Sequence, residues 1–277
     1  PVESLLEDIS HEITAMDVEK KSRELHAYAS DPKNFKPQIR DAITLAPGKF
    51  PSIVKAMSWE DVAFISDIPG KNSGEHGLGG GGESTQQLID AVRNAKSSIL
   101  IQSPYLVMPE GGIELFEELV DRGVRIRIST NSLASTDNIQ AFSGYHGQRK
   151  ALLKAGVELY EFKAYPAIRD ELIERFPDLA ERNPVFAIHA KSMVIDDRIV
   201  FIGTFNLDPR SANLNTEVGM LADSVELAGQ LTASIEHDID PANSWQTTLE
   251  FNPDMAVSRL KRLRVWLNRA LPLEPVL

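Results

Sequence analysis

The chain has 277 residues, 42% hydrophobic and 25% charged, a balance that excludes collagen, long coiled coil and wholesale disorder. It contains no cysteine, which rules out a disulfide framework, a thiolate zinc site and a cysteine nucleophile. Its 29 Lys+Arg against 40 Asp+Glu give a net charge of −11, a poor balance for a general nucleic-acid binder or nuclease. No stretch approaches the roughly 20 apolar residues that span a bilayer. Pro1-Val2-Glu3-Ser4 offers neither a basic leader nor an initiator methionine, so a piece of a longer or processed chain is expected.

Residues 1–57 read as a helical connector, with apolar residues at Leu5-Leu6, Ile9, Ile13 and Met16 and with breaks expected at Asp31-Pro32, Lys36-Pro37 and Ala46-Pro47-Gly48. Val62–Ser66 reads as a strand that enters a flexible loop with six glycines between Gly74 and Gly82. The run Gly79 to Gly82 lacks the Gly-Lys-Ser/Thr ending of a phosphate loop and the dinucleotide spacing. Ser84-Thr85 is expected to cap a helix with Leu88, Ile89, Val92 and Ala95 on one stripe, followed by a strand at Ser98–Gln102. A helix with Ile113, Phe116, Leu119 and Val120 ends at Gly123 before the strand Val124–Ile128. A further helical region opens at Thr136-Asp137 and closes at Gly156 before the strand Val157–Tyr160. This alternation predicts an α/β domain with a largely parallel sheet between helices.

The rhythm then changes. Lys191–Ile195 and Ile199–Ile202 flank Asp196-Asp197-Arg198 and predict a hairpin, followed by a strand at Thr216–Leu221 and a helix over Ser224–Ile239. We place the domain body at residues 58–253 and a basic amphipathic helix at 254–277. There Leu260, Leu263, Leu267 and Leu271 recur at helical spacing beside Arg259, Lys261, Arg262, Arg264 and Arg269, with Trp266 among them. That segment carries +3, leaving −14 on the rest. Such a helix suits the headgroup region of an anionic membrane, and the alternative is a helix packed on the acidic body.

The densest polar constellation is His189, Lys191 and Asp196, then Thr204 and Asn206, then Glu217. Residues two apart on a strand share a face, so His189 and Lys191 are expected to point the same way. An imidazole beside a fixed cation suits attack on an anionic phosphorus centre, with Lys191 neutralising the non-bridging oxygens and the Asn206 amide donating to them. Glu217 is expected to accept the other imidazole N–H and fix its orientation. Asp196, of opposite strand parity, is expected to support the motif from behind. His11, His26, His76, His146 and His237 show no metal-ligand spacing, so no metal site is expected.

The whole string His189-x-Lys191-x4-Asp196-x6-Gly203-Thr204-x-Asn206 resembles the HKD signature of the phospholipase D superfamily. Its flanks, Phe201-Ile202-Gly203-Thr204-Phe205-Asn206-Leu207-Asp208-Pro209-Arg210-Ser211 and Asn215-Thr216-Glu217, are similar to the bacterial cardiolipin synthase branch. So are Ser103-Pro104-Tyr105, Thr130-Asn131-Ser132-Leu133 and Ala155-Gly156-Val157-Glu158-Leu159-Tyr160. The resemblance covers roughly residues 58–250.

The resemblance implies an α/β sandwich with a mixed sheet flanked by helices, forming one catalytic lobe. It implies phosphatidyl transfer through a phosphohistidine, with His189, Lys191, Asp196 and Glu217 catalytic and with Lys191, Asn206 and Thr204 on the substrate phosphate. No cofactor is implied. The partners implied are phospholipid substrates and an anionic membrane surface, at the periphery of a bacterial cytoplasmic membrane, with no nucleic acid. Only His189 is followed by Lys two positions on, whereas this branch builds one site from two motifs, so a second HKD-bearing half is implied and this chain resembles the second half. The motif leaves the acceptor open, and the alternatives are a phospholipase or nuclease using water, or a lipid-binding half inactive alone.

Overall fold

The structure, a computed structural model, describes residues 14–31, 37–55, 57, 60–71, 79–174 and 183–269. The expectations placed on Leu5, Leu6, Ile9, Ile13, Leu271 and the Gly74–Leu78 part of the glycine loop lie outside these residues. The chain divides into two compact units, Pro1–Trp59 and Glu60–Leu277.

The described part of the first unit is two helices, α1 (Ala15–Ser30) and α2 (Pro37–Lys55). Thr14 caps α1 through a reciprocal capping box with Asp17. The expected stop at Asp31-Pro32 is present, with Asp31 as C-cap. The stop expected at Lys36-Pro37 is instead a start, since a proline at the first helical position loses no hydrogen bond that the helix needs. Pro47 and Pro51 lie inside α2. Each removes one donor without forbidding helix on both sides.

The second unit is built on one eight-stranded sheet: β1 (Val62–Ser66), β2 (Ser98–Gln102), β3 (Arg125–Asn131), β4 (Glu158–Phe162), β5 (Ser192–Ile195), β6 (Ile199–Gly203), β7 (Val218–Asp223) and β8 (Ser244–Thr247). Their order is β1-β7-β6-β5-β2-β3-β4-β8. Only β2–β3 and β3–β4 pair in parallel. The sheet is therefore mixed, as the family resemblance implies, and the largely parallel sheet read from the alternation is corrected. Helix alternation governs only the β2-β3-β4 stretch, because hairpins and long-range strands supply the rest.

The helices of this unit are α3 (Glu83–Arg93), α4 (Gly112–Asp121), α5 (Ile139–Lys154), α6 (Arg169–Glu174), α7 (Pro209–Asn213), α8 (Val225–Ile239) and α9 (Arg259–Arg269). One face of the sheet contributes Ile99, Ile101, Ile126, Ile128, Leu159, Met193 and Phe201 to a core shared with Leu88 and Val92 of α3, Phe116 and Leu119 of α4 and Leu152 of α5. Each fully buried aliphatic of this kind contributes about 1.5–3 kcal/mol. The opposite face packs Leu100, Val194 and Val200 under Ala228, Ile235 and Ile239 of α8.

Two helix starts differ from expectation. The N-cap of α3 is Gly82, and Ser84 sits in the first turn, where its N–H and hydroxyl donate to Asp67 at 2.9 and 2.6 Å. The N-cap of α5 is Asn138, whose side chain accepts from the Ala141 N–H at 3.0 Å, so Thr136-Asp137 stands just before it. Ser224 caps α8 as expected.

β5 runs antiparallel to β2 with Ser192 opposite Gln102. The start of β5 therefore lies at the same sheet edge as the carboxyl ends of β2 and β3. The loops after β2, after β3, before β5 and after β6 all emerge there. In open α/β sheets that edge is where ligands are held.

Candidate active site

The loop entering β5 is fixed one residue before His189. Asn131, at the end of β3 and buried, clamps the Ile188 backbone from both sides: its Nδ2 donates to the Ile188 carbonyl at 2.9 Å, and its Oδ1 accepts the Ile188 N–H at 2.8 Å. His189 follows, exposed, with its ring edge-on to Tyr105 at a centroid distance of 6.1 Å. The Tyr105 hydroxyl donates to both Asp137 oxygens at 3.1 and 3.2 Å. Burial, then the Asp137 charge, pushes its pKa up to about 12, so it stays a neutral donor.

His189 and Lys191 do not lie in a strand. β5 begins at Ser192, and one bond from the Gly203 N–H to the Lys191 carbonyl at 3.1 Å continues the pairing toward them. Lys191 is half-buried, and its Nζ donates to the His189 carbonyl at 3.0 Å. Burial lowers its pKa against the pull of Glu217, Asp208 and Asp137. No salt bridge to Lys191 occurs among the described residues. Its cation thus feels three carboxylates without a salt bridge to any of them and is bonded to a backbone carbonyl.

Glu217 and Thr204 form a pair of their own. The buried Glu217 carboxylate accepts a short hydrogen bond from the Thr204 hydroxyl, whose oxygen accepts the Val218 N–H at 3.0 Å. The expected bond from His189 to Glu217 is absent: Thr204 donates to one Glu217 oxygen, and His189 stands in the loop before β5. Thr204 is engaged in the same way and is not a free donor toward a phosphate. Asn206 is half-buried, with its carbonyl oxygen buried and without a partner. Its amide helps hold the charge of Asp208, whose pKa burial raises. Asp208 caps α7 by accepting the Ser211 N–H at 2.6 Å, with Pro209 at the first helical position.

Asp196 does not join this cluster. It sits in the β5–β6 turn, five residues of extended chain from Lys191, about 16 Å. Asp196 and Asp197 both have φ of +53°, two left-handed residues in the three-residue turn between the paired Ile195 and Ile199. The Asp196 carboxylate accepts from the backbone N–H groups of Lys96, Ser97 and Ser98 and from the Ser97 hydroxyl, at 2.7–3.1 Å. Burial raises its pKa and these donors outweigh that, holding it below the usual carboxylate range. These bonds tie the far end of β5 to the segment entering β2.

Two further elements escaped the sequence reading. Asp67, just after β1, binds Lys71 Nζ at 2.8 Å and exchanges backbone and side-chain bonds with Glu217, while Lys71 also donates to the Ser211 carbonyl at 2.8 Å. This latch holds the Glu217 and α7 segments together. Asn131 and Tyr105 lay inside stretches already singled out, yet nothing local marked them as neighbours of His189. Among the described residues no group of three or more His, Cys, Asp or Glu gathers as a metal-binding cluster. No helix among them is long and apolar enough to cross a membrane.

Comparison with known proteins gives concordant findings. Residues 88–239 match the family described as cardiolipin synthase, PLD-like domain. Cardiolipin synthase C of Escherichia coli (strain K12) is 35% identical over 237 residues, covering 78% of this chain and 48% of that protein. An uncharacterized protein of Helicobacter pylori is 27% identical over 236 residues, covering 84% of this chain and 43% of its own. The chain thus spans about half the length of these curated relatives. Among solved structures, the phosphatidylserine synthase of Haemophilus influenzae Rd KW20 superposes with a TM-score of 0.51 at 14% identity, over 80% of this chain and 49% of that one. At that identity the likeness concerns the fold alone.

Proposed function

The chain belongs to the family described as cardiolipin synthase, PLD-like domain, and from that premise we propose that it is one lobe of a phosphatidyltransferase acting on phospholipid phosphodiesters. The observation that carries the reading is the half-buried Lys191 ammonium, without a salt-bridge partner among the described residues and bonded to the backbone carbonyl of the exposed His189. A cation in that state is stabilised by an arriving anion, and the non-bridging oxygens of a phosphodiester supply one.

In the proposed reaction one histidine attacks phosphorus, and the bond to the leaving alcohol breaks as a second histidine donates its proton to that oxygen. An acceptor hydroxyl then attacks the phosphohistidine, giving its proton to the second histidine and restoring the first. We assign His189 the acid and then base role, by analogy with two-motif relatives. Lys191 offsets the charge on the non-bridging oxygens, and the Asn206 amide lies ready to donate to them. Tyr105 and Asn131 are positioning residues for the imidazole, and Thr204 acts through Glu217, which keeps a carboxylate near Lys191. The chain carries one His-x-Lys pair, so the counterpart histidine is assigned to a second lobe, in flanking sequence or in another subunit. The working location is the surface of an anionic membrane.

Detergent micelles of phosphatidylglycerol test the reading, assayed across protein concentration with glycerol or a second phosphatidylglycerol as acceptor. Transfer product is expected only where the chain is paired with a second lobe or copy, together with an acid-labile phosphohistidine. Phosphatidic acid as the sole product would convert the reading to a hydrolase. Cleavage of an oligonucleotide without lipid turnover, or full turnover by a strict monomer, would overturn it.

A further inference from the structure

We infer that α9, seated on α5, is a docking surface for an anionic lipid bilayer, with its leucine stripe turned outward. The sequence alone allowed the opposite, a helix burying those leucines on the body. At 100° per residue, Leu260, Leu263 and Leu267 fall within an arc of about 60°, and Val265 lies roughly opposite. Val265 is the residue α9 buries, 3% exposed, in the core that α5 shares. Leu260, Leu263 and Leu267 are 60%, 49% and 51% exposed, and Trp266 is 65% exposed. The helix thus uses one valine to attach and leaves its apolar stripe uncovered among the described residues.

The attachment is firm. Asp254, just ahead of α9, binds Arg149 of α5 at 2.5 and 3.1 Å, and Arg269 at the end of α9 reaches His146 of α5 at 3.3 Å. Lys261 and Arg262 are half-buried on the attached side.

Charge identifies the occupant. α5 and α9 contain no Asp or Glu, while Lys150, Lys154, Arg259, Arg264 and Arg269 are exposed on them, in a chain whose net charge is −11. Arg259 and Arg264 flank the outward leucine stripe, with Trp266 at its border, which matches a surface that is anionic outside and apolar beneath. A nucleic acid would use the cations and leave the leucines in water. A large uncovered apolar patch rimmed with charge is itself the mark of an interaction site.

The inference rests on the proposed phospholipid chemistry only for its purpose, and binding is read separately from turnover. The test is sedimentation of the 277-residue chain with vesicles of phosphatidylcholine containing phosphatidylglycerol, against phosphatidylcholine alone. Binding is expected on the anionic vesicles, and Leu263→Glu/Leu267→Glu is expected to weaken it at least tenfold with an unchanged thermal transition, since both side chains are half in water already. Arg259→Gln/Arg264→Gln should weaken it severalfold and flatten its salt dependence. Turnover in detergent micelles by the chain paired with its second lobe should survive both pairs, whereas an unsubstituted chain that binds vesicles and shows no turnover when so paired would count against the transferase reading and leave the docking surface standing. Vesicle binding indifferent to the leucine pair, retention of a DNA duplex by the same cations, or dissociation of an oligomer by the leucine pair would each overturn the inference.

Discussion

Two polar clusters in the second unit make opposite use of charge. Under the β4–β8 edge, Arg149 binds Glu161 at 3.0 Å and Asp254 at 2.5 and 3.1 Å, while Tyr145 and Thr247 donate to the same Glu161 oxygen. Every charged side chain of this trio is buried and paired. At the loop edge, Lys191 and His189 stand open, and the carboxylates around Lys191 stop short of it. The first cluster pairs its charges within the chain, although the second Glu161 oxygen is buried without a hydrogen-bond partner. The second keeps its cation without a salt bridge among the described residues, which is the state the proposed phosphate would relieve.

The largest expected effect tests the closed cluster. Arg149→Met leaves Glu161 and Asp254 without their cation, and breaking a buried network of this kind costs about 3–5 kcal/mol. Denaturant unfolding should show that loss, while turnover per folded molecule in the paired enzyme stays the same. His189→Ala should do the reverse, lowering phosphatidyl transfer about a hundredfold or more with an unchanged thermal transition. Activity within about tenfold of the parent would remove His189 from the site.

Acid separates the clusters next. Burial raises the Asp254 carboxyl, and the bonds from His146 and Arg149 outweigh that and hold it at about 2, below its ordinary 3.8. A carboxyl depressed in the fold lends stability that is present above about pH 4 and is lost as pH falls toward 2. The amount is about 2 kcal/mol. Asp254→Asn should flatten unfolding free energy over that window.

The open cluster responds at the alkaline end. Burial lowers the Lys191 pKa, so its charge, and with it activity, is lost at lower pH than for a free lysine. Lys191→Arg should keep partial activity and move the alkaline limb of kcat/KM upward. The smallest effect is expected for Glu217→Gln, a severalfold fall in kcat/KM, because the amide still accepts from Thr204 and only the carboxylate field at Lys191 is lost.

Legibility in the sequence followed the range of the interactions. The Asp196-Asp197 turn, the Gly123 and Gly156 helix ends and the Ser224 cap are local, and each is a residue type that its backbone conformation demands. The α5 cap was misplaced by two residues because Thr136, Asp137 and Asn138 are all good cap formers, and tertiary packing decides among them. The α3 start was placed at Ser84-Thr85, two residues past its Gly82 cap, since the acceptor that holds the Ser84 N–H is Asp67, 17 residues away. Asp254 is 105 residues from Arg149, beyond any periodicity. The site was legible as a motif, yet its expected strand geometry failed because sheet pairing toward His189 stops at Lys191.

The latch between β1 and Glu217 also bears on the order of events in folding. Asp67 and Glu217 are 150 residues apart, and closing so long a loop is an entropic cost that must precede any return from the contact. Within the sheet β1 pairs only with β7, so its strand hydrogen bonds wait on the β5–β6–β7 meander. The edge strand that fixes Glu217 therefore closes one of the longest loops in the sheet, and its docking carries a correspondingly large entropic cost.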